Sequence, residues 1–69
     1  MTITMTDWQQ RVVTEQVELD SKIEKLNLFI KSDAFETLDR IEIELLWDQR
    51  ALMVRYSEVL GKRIQLFRK

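Results

Sequence analysis

The chain has 69 residues, room for one small domain, with 45% hydrophobic and 33% charged residues and a formal net charge of −1, a globular rather than a disordered balance. It contains no cysteine, no histidine, no proline and one glycine, Gly61. Those absences exclude disulfide frameworks, thiolate nucleophiles and Cys/His zinc sites, and they argue against a turn-rich all-β domain or a glycine-rich phosphate loop. Below about 70–80 residues a single core rarely supplies more than about 3–5 kcal/mol. A small all-α protein that associates with copies of itself is therefore expected, with no metal and no cofactor.

The near-neutral total hides a segregation of charge. Asp33, Glu36, Asp39, Glu42, Glu44 and Asp48 oppose Arg40 alone over residues 33–48, a net −5. Arg50, Arg55, Lys62, Arg63, Arg68 and Lys69 oppose Glu58 alone over residues 50–69, a net +5. Such asymmetry serves either complementary pairing between subunits or a local anion site, and it also describes two solvated helix faces of different composition.

The first predicted element runs from about Thr6 to Lys31. Thr6 with Gln9 has the spacing of an N-cap and its N3 partner, and Asp7 favours the positive end of the helix dipole. Trp8, Val12, Leu19, Ile23, Leu26 and Ile30 form an apolar seam stepping by threes, fours and one seven. The step of seven spans Glu15 and Gln16, a polar interruption, while Val13, Val17 and Phe29 widen the stripe. Glu18–Lys22 and Asp20–Glu24 lie outside it, one pair attractive and one repulsive.

At Lys31-Ser32-Asp33-Ala34 the pattern restarts: Ser32 caps a short turn through Phe35 to Leu38, and Asp39 with Glu42 repeats the cap spacing. A second long helix follows from about Arg40 to Phe67. Its stripe includes Leu45, Leu46, Leu52, Met53, Tyr56, Val59, Leu60, Ile64 and Phe67, with Gln49 and Arg63 as polar members. Helices of about 26–28 residues are about 40 Å long, so the chain reads as an antiparallel hairpin of two long helices with a short helical corner. Residues 1–69 form one helical domain in which residues 1–5 are expected to be flexible. Two rods cover one side of each other, and the remaining apolar surface is expected to meet another chain.

Little in the chain resembles catalytic machinery. Glu15/Glu18 and Glu42/Glu44 lack the signature of a paired acid and base, and Ser21, Ser32 and Ser57 have no histidine to activate them. A helical carboxylate metal site recruits Glu-x-x-His, which is absent. No apolar run reaches the roughly 18 residues of a membrane span, and the N-terminus lacks a basic region and apolar core. The protein is expected in the cytoplasm, with no membrane partner. Duplex nucleic acid is also disfavoured, because an acidic segment balances the basic one.

Binding is the better class. Trp8 lies in the first helical turn with Arg11 three positions on, and Lys22 and Lys25 follow on the same helix. Fourteen positions separate Trp8 from Lys22, about 21 Å of rise, so one chain cannot bring both to a small ligand. Antiparallel pairing of two first helices brings Trp8 of one chain to Lys22 of another, joining a stacking surface to a phosphate-binding cation. Read alone, these residues fit better as an interface plug, for Trp8, and a solvated rim, for the lysines, because helical aromatic stripes usually pack. Arg50, Arg55, Lys62 and Arg63, interleaved with Met53 and Tyr56, outline a second anion site or a solvated face. Gly61 permits a close helix approach or is a tolerated glycine near the last turn.

The segments WQQRVVTEQVELDSKIEKLNLFIKSDAF and LLWDQRALMVRYSEVLGKRI carry three distinctive pieces. These are Glu18-Leu19-Asp20-x-Lys22-Ile23-x-Lys25-Leu26, the Ser32-x-x-Phe35 corner and Met53-x-x-Tyr56-Ser57-x-x-Leu60. Over about residues 7–65 the chain resembles the small phage anti-CBASS sponges, which sequester the cyclic oligonucleotide messengers of bacterial antiviral defence. The resemblance implies a homohexamer with pockets at subunit interfaces that hold cyclic dinucleotides, and in some members cyclic trinucleotides, without cleaving them. It implies an aromatic residue near the start of the first helix that stacks on a base, here Trp8 with Arg11 beside it. It also implies a phosphate-binding lysine further along, here Lys22 or Lys25. Tyrosine is the usual aromatic there, so Trp8 is a departure that keeps the stacking face and loses the hydroxyl. Arg50, Met53 and Arg63 are the residues to consider for a trinucleotide pocket. The alternative is a helical module that binds a host or phage protein through its apolar seam.

Overall fold

In the computed structural model Thr6 opens the first helix as its spacing predicts. The Thr6 Oγ1 accepts from the Gln9 backbone N–H at 3.4 Å, and the Gln9 Oε1 accepts from the Thr6 N–H at 3.0 Å, a reciprocal capping box. Helix α1 spans Asp7–Ile30 and closes at Lys31, whose N–H reaches the Asn27 carbonyl. Residues 5–67 are described; residues 1–4 and 68–69, and with them most of the segment expected to be flexible, lie outside the described residues.

The corner is one turn, α2, over Asp33–Glu36. It begins directly after Ser32, the expected cap, and ends two residues short of the expected Leu38, with Thr37 as its C-cap. Ser32 caps by backbone conformation only: its hydroxyl turns back and donates to the Phe29 carbonyl at 2.6 Å. Phe35 fastens the corner to both long helices through edge-to-face contacts with Phe29 at 6.2 Å and Trp47 at 6.4 Å.

Helix α3 spans Arg40–Leu66. The Asp39 carboxylate caps it by accepting from the Glu42 N–H at 2.9 Å, and Arg63 sits in its last turn, where the helix dipole favours a cation. The α1 and α3 helices run antiparallel in a rod of 53 × 16 × 15 Å. The core between them is thin. Val12, Leu19 and Leu60 are buried, flanked by half-buried Ile23, Met53, Ile64 and Phe67. Leu45, Leu52, Tyr56 and Val59, which the periodicity placed in the same stripe, stay exposed because a two-helix rod has an inner side and an outer side.

Among the described residues three polar links run between the rods. Gln16 Nε2 donates to the Ser57 carbonyl at 3.1 Å, the Ser57 hydroxyl donates to Asp20, and Arg50 Nε donates to Asn27. The polar interruption of the first seam is thus a crosslink to α3. Gly61 makes room for it: a Cβ at this position would sit 3.0 Å from Gln16 Nε2. Alanine is favoured over glycine within a helix by about 0.8–1 kcal/mol, so the two residues are coupled. Gly61→Ala is expected to raise the melting temperature by about 4–8 °C in a Gln16→Ala background. In the native background, where Gln16 must give way and its hydrogen bond is weakened, the gain is expected to vanish. Thermal melts of the four chains check this, and an equal gain in both backgrounds would refute the coupling.

Candidate ligand-binding residues

Trp8 owes its place to the capping box, which starts α1 one residue before it and points the indole along the seam toward the end of α3. It meets Phe67 edge to face at 5.1 Å and remains 51% exposed. It therefore packs with part of its surface and leaves part for a second body. Lys22 and Lys25 are exposed on the middle of α1. Among the described residues neither closes an ion pair, and the expected Glu18–Lys22 contact is open. Arg11 and Lys22 lie on the same flank of α1 as Trp8, by their helical spacing. The straight helix keeps Trp8 and Lys22 about 21 Å apart along its axis, so one chain does not bring them together.

A groove of about 500 Å³ lies over the outer face of α1 and is lined by Asp7, Gln10, Arg11, Thr14, Glu15 and Glu18. It contains Arg11 but neither Trp8 nor a lysine. Three carboxylates against one guanidinium make it a poor receptor for an anion, whatever its size.

The basic half of α3 is divided by the fold. Arg50 turns inward to Asn27 and is half-buried. Met53 packs against the core and accepts a weak contact from the Gln49 amide. Arg63 is exposed in the final turn, about 20 Å along the helix from Arg50. A single chain therefore presents these three residues separately. What the structure does bring together went unflagged in the sequence: Asn27, Ile30, Lys31, Trp47 and Arg50 line a groove of about 280 Å³ near the corner. It joins an exposed indole, two cations and a side-chain amide, a set able to hold an anion against an aromatic face. The pairing of Asn27 with Arg50 crosses 23 positions and leaves no local signature in the chain.

Among the described residues no cluster of three or more Asp, Glu, His or Cys side chains could hold a metal ion. No described helix is long and apolar enough to cross a membrane.

A family model named Sequestin matches residues 6–66, from the Thr6 cap to the end of α3. An uncharacterized 7.5 kDa protein from the denB-rIIB intergenic region of Enterobacteria phage T4 is 41% identical over 64 residues, covering 93% of this chain and all of the phage protein. No solved structure matches. Both matches take in the two helices, the corner and every candidate residue above. They agree with the kinship to small phage proteins read from the Glu18–Leu26 stretch and the corner, and on their strength the chain belongs to the Sequestin family.

Proposed function

We propose that this protein is a phage-encoded sponge that binds cyclic oligonucleotide messengers and withholds them from CBASS antiviral signalling, without cleaving them. The observation that carries the reading is the state of Trp8 and Lys22: an aromatic half exposed and a lysine in no ion pair among the described residues, on one flank of α1 yet too far apart to share a ligand within one chain. A second chain completes the site. Antiparallel pairing of two α1 helices sets Trp8 of one subunit opposite Lys22 of the other, with Arg11 and Lys25 at the rim, and gives a base-stacking face beside a phosphate-binding cation.

Family membership supports sequestration rather than turnover. Tight stoichiometric binding needs no acid, base or nucleophile, and the chain offers no evident set of them. The exposed apolar surface of so thin a rod supports assembly into a homo-oligomer, a hexamer on the family resemblance. For a cyclic trinucleotide, Arg50 with Trp47 and Lys31 is a better single-chain nucleus than Arg50, Met53 and Arg63, which would have to be gathered from several subunits. The exposed seam also fits the second reading, a module that binds another protein.

Native mass spectrometry with a panel of cyclic di- and trinucleotides tests the proposal, because it counts subunits and ligands together. The expected result is a discrete oligomer that carries bound ligand, a melting temperature raised by ligand, and ligand recovered intact after denaturation. Absence of binding across the panel, with a stoichiometric protein partner recovered instead, would replace it with the second reading.

A further inference from the structure

The groove at the corner is built from two neighbouring pairs. Asn27 and Lys31 are one turn apart at the end of α1, and Trp47 and Arg50 are one turn apart on α3, with Ile30 as the apolar member. No carboxylate lines it. Asp7, Glu15 and Glu18 line the groove over α1, and Glu42 and Asp48 enter the grooves along α3. Lys31 and Arg50 are in no ion pair among the described residues, so both charges face the opening uncompensated.

The fold orients these groups in advance. Phe35 meets the Trp47 ring edge to face at 6.4 Å and fixes its plane, while the residue stays 47% exposed. The Asn27 Oδ1 accepts from the Arg50 Nε–H and so aims the guanidinium. That bond leaves the two amide N–H donors of Asn27, the four remaining donors of Arg50 and the three of Lys31. The matching ligand accepts hydrogen bonds, is negatively charged and carries a planar ring.

Charge decides which phosphate fits. Near neutral pH a phosphate monoester carries about −1.5 to −2, enough to meet both cations, whereas a diester has no second ionisation and carries a single charge. The volume of about 280 Å³ lies just under the roughly 300–1,000 Å³ usual for small-ligand sites, which suits one nucleotide rather than a ring of several. We infer that the corner groove is a second ligand site, complete within one chain, that takes a single nucleotide with a terminal phosphate monoester. The base stacks on the Trp47 indole, and the phosphate sits between Arg50 and Lys31 with the Asn27 amide as a further donor. Cyclic messengers hold their phosphates as diesters, so this site favours linear nucleotides over cyclic ones. It uses none of Trp8, Arg11, Lys22 and Lys25 and does not rest on the pocket between chains, so either can fail alone.

Trp8→Phe leaves Trp47 as the chain's single tryptophan, and its fluorescence then reports the groove. Adenosine 5′-monophosphate is expected to quench it saturably. Its affinity is expected to exceed at least tenfold those of adenosine, which lacks the phosphate, and of 3′,5′-cyclic adenosine monophosphate, which holds it as a diester. Adding Lys31→Gln, at an exposed position, is expected to weaken the monophosphate about tenfold, to narrow its lead over the cyclic form and to leave the melting temperature unchanged. Absence of saturable quenching, an affinity for the cyclic form equal to or above that for the linear one, or undiminished binding by Lys31→Gln overturns the inference.

Discussion

Leu60→Ala is expected to leave the chain largely unfolded at 25 °C. Leu60 is 1% exposed, the most buried side chain between α1 and α3, with Val12 and Leu19 packed around it. Removing a buried leucine side chain costs about 2–5 kcal/mol, as much as a domain of this size commonly has in total. The neighbours cannot collapse to fill the space without breaking the Gln16–Ser57 and Asp20–Ser57 links one turn away. Circular dichroism at a fixed protein concentration reads the outcome. Leu60→Met, which keeps volume and apolarity, is expected to cost less than about 1.5 kcal/mol and to retain the helical signal. A native-like melt for Leu60→Ala would show that the hairpin contact is not what holds the chain together and that intersubunit packing alone suffices.

Trp8→Ala and Lys22→Ala are each expected to weaken cyclic dinucleotide binding by roughly 10- to 100-fold. Stacking of a base on an aromatic side chain contributes about 1–3 kcal/mol, a charge-assisted hydrogen bond about 1.5–3 kcal/mol, and each 1.4 kcal/mol is about tenfold in affinity. Trp8 also supports Phe67, so Trp8→Phe is the companion that keeps the edge-to-face contact and most of the stacking face. Oligomer mass must stay unchanged in all three variants; if it falls, the residues are structural rather than ligand-binding. Mixing the two alanine variants separates a site between chains from a site within one. A mixed pair regenerates one intact pocket, Trp8 from one chain and Lys22 from the other, so mixed oligomers are expected to recover part of the binding that each variant loses. No recovery on mixing would place the site within a single subunit.

The helices and their ends were legible because their causes are local. Thr6 and Gln9 satisfy each other's backbone within one turn, and Asp39 does the same for Glu42. The seam of Val12, Leu19 and Ile23 follows from 3.6-residue periodicity. The pattern was less informative in α3, where Leu45, Leu52, Tyr56 and Val59 share apolar character with Met53, Leu60 and Ile64 but not their neighbour. Periodicity reports that a residue is apolar, not which body covers it. Gln16 illustrates the converse. In the chain it is a flaw in a seam, and only its approach to Ser57 beside a glycine without a Cβ shows what it does.

The candidate site divides along the same line. Trp8, Arg11, Lys22 and Lys25 were proposed from residue type, position and family resemblance, and the distance along one helix means that a site using both Trp8 and Lys22 needs a second chain. Lys31, Trp47 and Arg50 became a group only when Asn27 and Arg50 met across the hairpin. By itself the sequence determined two long capped helices, a short corner, opposed charge along α3 and kinship with the Sequestin family, because each rests on neighbours within a turn or on the order of residues in the chain. The tertiary structure decided which side of each apolar stripe is inner, which polar residues tie the rods together and which surface is left uncovered. Those depend on how two rigid cylinders meet, a relation between residues as far apart in the chain as Trp8 and Phe67 that no local pattern encodes.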